Sequence, residues 1–372
     1  MFVNTGDYIE QVADSAVRST YYTFTPRPLM EGSFYTMNDD LALLLAETHR
    51  ALGILEGMAY FSHDRKDLAD LILLRESAFS RMIDYHGKDI YSVLVGRASG
   101  NDSDDVQKII TAYDYAMDTT TNKLNFDAII NRALHGGEQK RKAATRVKPL
   151  FMMQSTANYR QYNPTAPRDI LPALTDIRKY IESSNADILI KAALCHYQFE
   201  MIHPYEYYNG IVGRILPYHM LCISEMSGAR FCSFSASLYR HKAEYFDKLE
   251  STQKNGNYTK WIDFYIRIIC DTAQRGAEFI RFYEKTTRHD EEIISNQLHG
   301  RADHSVAVYR HFKTNVISSI GFASNQLKLA FDTVSRSVGI LQNMGVLTQT
   351  TPGSRNRLFA HERIMQRLVS PE

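Results

Sequence analysis

Apolar positions recur at helical spacing along most of this chain. Leu41, Leu44, Thr48 and Leu52 mark one face of a helix beginning near Asn38. A second helix runs from about Asp67 to Asp84 through Leu71-Ile72-Leu73-Leu74. A third spans Ile188 to Ile202, with Ile190, Leu194, Tyr197 and Met201 on one side, and Pro204 rules out its smooth continuation. Ile211, Ile215, Leu216 and Met220 resume a helix that Pro217 should kink. The stretch Arg146 to Gln154 instead reads as extended, between polar and turn-rich segments, and predicts one hairpin. Ahead of Asn38, around Thr25-Pro26-Arg27-Pro28, the pattern predicts an irregular start.

The C-terminal pattern differs. Leu327, Leu329 and Ala330 form a short apolar turn, and Asp332-Thr333 is placed to cap a helix with Val334, Val338 and Leu341 on one face. Ser335, Arg336, Ser337 and Gln342 are predicted to point outward, and Gly345 to end the helix. Val346 to Gln349 and Arg357 to Phe359 then alternate as two strands about Thr351-Pro352-Gly353-Ser354, a wing tip bearing Arg355 and Arg357. The expected fold class is therefore mainly α, with a small hairpin and a C-terminal winged helix-turn-helix.

Candidate chemistry concentrates between residues 202 and 214, where Ile-His-Pro-Tyr-Glu-Tyr-Tyr-Asn-Gly-Ile-Val-Gly-Arg joins the third helix to the next. His203 falls at the helix end, facing the loop, and Asn209-Gly210 can supply a positive-φ turn. The first amides of the following helix, at the positive end of its dipole, attract phosphate oxygens. The loop thus reads as an anion cradle beside a base.

These residues resemble the signature of the Fic family, His-Pro-Phe-x-Asp/Glu-Gly-Asn-Gly-Arg-x-x-Arg, and Ala193 to Ile202 resembles the helix before it. The resemblance implies a Fic-type helical core that transfers AMP from ATP to a protein hydroxyl. His203 would be the general base, Tyr205 an aromatic wedge, Asn209 and Gly210 the phosphate cradle, and Arg214 the second signature arginine. Magnesium or manganese is the family's expected metal, but Tyr207 stands at its carboxylate ligand, and a phenol with pKa of about 10 is a poor ligand for a hard cation. Glu206 is the neighbouring candidate. Tyr208 replaces a glycine and Ile211 the first arginine, so a slow enzyme is expected, with a catalytically impaired regulatory or binding protein as the alternative. Ser80 and Asp84 resemble the family's inhibitory Ser/Thr-x-x-x-Glu pattern. The hairpin carrying Lys148, Leu150, Phe151 and Met152 resembles its target-docking flap.

Three segments are expected: 1–100 with the inhibitory helix, 101–285 as catalytic core, and 286–372 as the winged-helix-like part. Composition narrows the partners. Across 372 residues, Lys+Arg 43 against Asp+Glu 42 leaves a net charge of +1, so no global attraction to DNA or an anionic membrane is expected, although a local contact of the wing with DNA stays open. No apolar stretch approaches the roughly 20 residues of a membrane span, and a cytoplasmic location is expected. Cys195, Cys222, Cys232 and Cys270 lack metal or redox spacing and read as buried thiols. Twenty-three tyrosines against one tryptophan allow self-modification, with packing at boundaries the simpler reading. A homodimer is implied by the family alone.

Overall fold

The computed structural model describes residues 5–12, 20–84, 88–100, 104–118, 124–136, 144–151, 163–298 and 303–371. In chain order they form β1 (Gly6–Val12), β2 (Thr20–Pro26), α1 (Asp39–Phe61), α2 (Arg65–Asp84), α3 (Ile90–Ala98), α4 (Asp104–Ala116) and α5 (Phe126–His135). There follow α6 (Ile170–Ser183), α7 (Ile188–Ile202), α8 (Asn209–Ile223), α9 (Phe234–Arg240), α10 (Lys242–Asn255) and α11 (Tyr258–Leu298). The C-terminal elements are α12 (Asp303–Asn315), β3 (Ile317–Ser319), α13 (Ile320–Leu327), α14 (Phe331–Asn343), β4 (Thr348–Gln349), β5 (Leu358–Ala360) and α15 (Glu362–Val369). The mainly helical class read from periodicity is the class observed. The chain divides into two compact units, the first of Met1–Gly53, Lys108–Ala229 and His241–Asp271, the second of Ile54–Gln107, Arg230–Arg240 and Thr272–Glu372. Among the described residues no helix is long and apolar enough to cross a membrane.

In the first unit α7 and α8 form the centre. Every α8 residue from Asn209 to Cys222 is buried, as is α7 from Leu189 to Ile202 apart from Lys191. A helix apolar on all sides must be enclosed on all sides, and β2, α5 and α6 pack against this pair. His196 locks the two helices together. Its Nδ1–H donates to the Gly213 carbonyl (2.7 Å), its Nε2 accepts from the Tyr245 hydroxyl (2.9 Å), and its ring stacks on Trp261 and Tyr265. Burial depresses His196 to about 3, so the ring is neutral. Asp187 starts α7 by accepting from the Leu189 amide at 2.9 Å, a cap that contributes about 1 kcal/mol.

The expected irregular start is corrected. Strands β1 and β2 form an antiparallel hairpin in register from Gly6↔Pro26 to Val12↔Thr20. It is fixed by buried Phe24, which packs against Tyr8 with ring centroids 5.1 Å apart, while most of β1 stays partly or fully exposed. Asn163 extends β2 on its other side, donating to Tyr22 O (3.0 Å) and accepting from Phe24 N (2.8 Å). At the hairpin expected over 146–154, residues 144–151 take part in no strand, and the remainder, including Met152, lies outside the described residues.

In the second unit α12, β3, α13, α14, β4 and β5 follow one another, with antiparallel sheet order β3-β5-β4. This order is compatible with the winged-helix expectation and adds β3. Val308, Tyr309, Phe312, Val334, Val338, Leu341 and Phe359 share its core. Helix α14 begins at Phe331 after Ala330, ahead of the expected Asp332-Thr333 cap, so Asp332 lies in the first turn near the positive dipole end rather than at the cap. Ser337 is buried beside Val338 rather than outward, because the apolar face is wider than Val334, Val338 and Leu341 alone indicated. Gly345, at φ 72°, ends the helix as read.

Candidate active site

Helix α7 ends at His203, which takes the left-handed conformation (φ 49°, ψ 62°) with its amide bonded to Phe199 O at 3.0 Å. That conformation costs an L-residue about 1–2 kcal/mol, and a buried arginine offsets it. Arg146 donates from Nε to His203 O (2.8 Å) and from Nη2 to Ile202 O (3.2 Å) and Thr165 O; its Nη1 donates to Lys148 O (3.2 Å). Its own amide donates to Pro204 O at 2.9 Å. Burial lowers Arg146 to about 10, so it stays charged at neutral pH and holds the carbonyls by charge-assisted bonds.

The His203 ring is oriented as well. Its Nδ1 lies 2.9 Å from Glu200 O, and a carbonyl can only accept, so Nδ1 carries the proton and Nε2 the lone pair. The buried Glu200 carboxylate is 4.0 Å from Nδ1, a position that would stabilise an imidazolium formed when Nε2 takes a proton. Glu200 also faces Gly213, where a Cβ would lie 2.3 Å from its Oε1. Gly213 is therefore needed for the close approach of α7 and α8.

The connecting loop is tied internally. Asn209 Oδ1 accepts from the Tyr205 amide (2.8 Å) and its Nδ2 donates to the Tyr205 carbonyl (2.7 Å). The Asn209 side chain thus shapes the loop, and what it can offer a phosphate is its backbone amide. Tyr205 is buried, with its hydroxyl donating to Asp127 Oδ1 at 2.9 Å. Burial and the Asp127 carboxylate both push the Tyr205 phenol upward, so it stays neutral. The positive φ expected at Asn209-Gly210 is found instead at Tyr208 (φ 64°, ψ 18°), because Asn209 already opens α8. Val212 N to Tyr208 O (3.0 Å) is the first bond of that helix. The amides of Asn209, Gly210 and Ile211 precede it at the positive end of a 15-residue helix, the arrangement that favours phosphate.

Arg214 lies one residue beyond Gly213 and is 1% exposed. Ile211 is core, so the family's first arginine position is apolar here. Tyr207 is 57% exposed and Glu206 is exposed beside it. Among the described residues no three or more His, Cys, Asp or Glu gather as a metal site. One solvated acidic side chain and a phenol fit a hard cation poorly, whereas the α8 amides fit an anion. Ser80, buried in α2, and Asp84, exposed at its end, belong to the second unit. Of the expected docking residues, Lys148 and Phe151 are exposed and Leu150 is half-buried.

Sequence reasoning missed Arg146 and gave no role to Glu200 or Asp127. Arg146 acts on four carbonyls distributed across the fold, and no spacing in the chain announces that. The first glycine of the signature, matched here by Tyr208, was the signal for the positive φ.

Residues 105–221 match the model of the Fic/DOC family. Among solved structures, a Fic family protein from Desulfovibrio desulfuricans superposes with a TM-score of 0.55 and 14% identity, covering 88% of this chain and 98% of that one. A Fic domain containing signaling protein from Bacteroides thetaiotaomicron gives 0.48 and 14%, with 63% and 96% covered. Fic-1 from C. elegans gives 0.48 and 16%, with 66% and 74% covered. The first of these likenesses is one of fold. The 203–214 loop lies inside the matched segment, so the part of this chain that is similar to the Fic/DOC family contains the candidate site.

Proposed function

We propose that this protein transfers AMP from ATP to a serine, threonine or tyrosine hydroxyl of a protein, with His203 as general base. The observation that carries the reading is the paired geometry of His203 and the α8 start: a histidine fixed with its lone pair on Nε2, one short loop before three amides at a helix N-terminus. ATP phosphates would rest on the amides of Asn209, Gly210 and Ile211, with Arg214 supplying positive charge. Nε2 takes the proton of the target hydroxyl as its oxygen attacks the α-phosphorus. The bond to the leaving oxygen breaks and pyrophosphate departs. Glu200 stabilises the imidazolium through Nδ1. A divalent ion bound to the triphosphate would neutralise charge on the leaving group, but the residues at Tyr207 and Glu206 are a poor match for it.

With Ile211 and Tyr207 in place of two charged groups, transfer is slow, each loss costing about a hundredfold or more. Asp84, with Ser80, is assigned the restraining role, so Asp84→Ala raises the rate. The segment Lys148 to Met152 is assigned to target docking. The second reading, a nucleotide-binding regulator without transfer, is favoured by the same Ile211 and Tyr207. Exposed Arg336 and Arg355, with Arg357 over the Phe359 ring at 5.4 Å, leave a weak contact of the C-terminal unit with DNA to a gel shift across salt concentrations. Incubation with α-phosphate-labelled ATP tests transfer. Label appears on protein, the chain itself included, and is absent with His203→Ala. No label even with Asp84→Ala rejects transfer, and calorimetric titration of ATP then decides for or against the regulator.

A further inference from the structure

Within the second unit, Arg75 on α2, Arg275 on α11 and Arg367 on α15 line one open-mouthed pocket, together with Ser233, Ser237 and Thr272. None of its lining residues is Asp or Glu. We propose that this pocket binds a phosphate-sized oxyanion, held by the three guanidinium groups and the hydroxyls between them.

Several observations support a built site rather than a chance meeting of surface arginines. Arg75 is oriented in advance: its Nε donates to Leu368 O (3.1 Å), its Nη2 to Ser370 O (2.6 Å), and its guanidinium lies over the Phe79 ring at 5.1 Å. Thr272 Oγ1 donates to Ser237 Oγ at 3.0 Å, and Arg240 Nη2 donates to the same oxygen at 2.9 Å, so the polar wall is itself ordered. Gly276 permits the close approach that forms the floor, since a Cβ there would lie 2.5 Å from Phe231 O.

Several arginines crowd around Arg75. Burial brings Arg75 down to about 10, and Arg240, Arg275 and Arg367 add to the fall against an upward pull from Glu76. Glu76 is buried and accepts from the Ser235 amide (2.8 Å), the Ser235 hydroxyl and Ser233 Oγ (3.3 Å). Glu278 lies 3.4 Å from Arg367 in a half-exposed pair, which an incoming anion with several acceptor oxygens can replace. Size narrows the ligand further. The cavity is small, about 30 Å³. One water needs about 10–15 Å³ on that measure, so the depth suits a single tetrahedral group, free or at the end of a larger molecule.

The proposal stands apart from the His203 chemistry and is tested separately. Inorganic phosphate is titrated calorimetrically into the full chain at constant ionic strength, with Arg275→Gln and Arg367→Gln beside it. Saturable binding that weakens about tenfold in each variant is expected, the loss of one charge-assisted contact. No saturable binding to the unmodified protein overturns the proposal. So does unchanged affinity in both variants, which would place the phosphate elsewhere, for example at the α8 start. If Arg275→Gln fails to fold, half-exposed Arg367→Gln decides alone, its fold checked by thermal melting without phosphate. A methyl phosphate titration identifies the source: affinity equal to that of phosphate indicates the terminal group of a larger molecule, and weaker affinity a free anion, each supporting the site.

Discussion

The loop from His203 to Arg214 and the C-terminal unit from α12 to β5 differ in what mainly holds them. In the loop, polar groups are buried and bonded to one another: Asn209 to both backbone groups of Tyr205, Arg146 to four carbonyls, and His203 to Glu200. Two non-glycine residues take positive φ there. In the C-terminal unit, Val308, Phe312, Val334, Val338 and Phe359 form an apolar core, and Arg336 and Arg355 remain at the surface. Hydrophobic burial explains most of the second region, where Val316, Lys328 and Asn356 also take positive φ and buried His311 bonds to Ser318 at 2.8 Å. It does not explain the first, where desolvated polar groups are concentrated in one short loop and persist because neighbouring bonds hold them, as expected of a functional site.

The largest effect that would break this comparison is on chemistry. His203→Ala should lower transfer by about 10²–10⁴-fold while the melting temperature moves little, as read by labelled transfer and melting in parallel. A pH titration sharpens the contrast next. His196 is held near 3 by burial against its ordinary 6.5, so the unfolded chain binds more protons over that interval. The stability due to neutral His196 is therefore full above about 6.5 and is lost as pH falls toward 3, on the order of a few kcal/mol by denaturant midpoints; His196→Gln flattens that limb. Arg146→Ala should cost about 2–4 kcal/mol and reduce transfer as well, because four carbonyls lose their donor. Arg146→Lys should rescue little, since one ammonium cannot span them.

Glycine substitutions give the cleanest opposition between the regions. Gly213→Ala drives a Cβ into Glu200 Oε1 and should destabilise by about 1–3 kcal/mol, whereas Gly339→Ala on α14 meets nothing within 4 Å and should stabilise by up to about 1 kcal/mol. Smallest is Tyr208→Gly, expected to change stability by about 1 kcal/mol or less in the stabilising direction, as relief of positive φ is partly offset by unfolded-state entropy.

Much of this was legible in the chain where apolar periodicity and punctuation agreed. Pro204 and the α7 and α8 apolar series located the loop, and the two final strands followed from alternation about Pro352-Gly353. The β1–β2 hairpin was not legible, because β1 presents mostly polar or half-exposed positions and its pairing is fixed by buried Phe24 and by Asn163, far along the chain. The loop's residues were legible as a signature, but their division of labour was not. Asn209 read as a phosphate ligand and proves to clamp Tyr205, and the positive φ moved to Tyr208 once the first residue of α8 was known.

The most direct test of the central claim is the nitrogen-15 spectrum of His203, assigned by comparison with His203→Ala and recorded above the ordinary histidine titration range while ATP is added. The account predicts a neutral ring with the proton on Nδ1 and an Nε2 resonance that moves with ATP. A proton on Nε2, or a ring that ignores ATP, would contradict it.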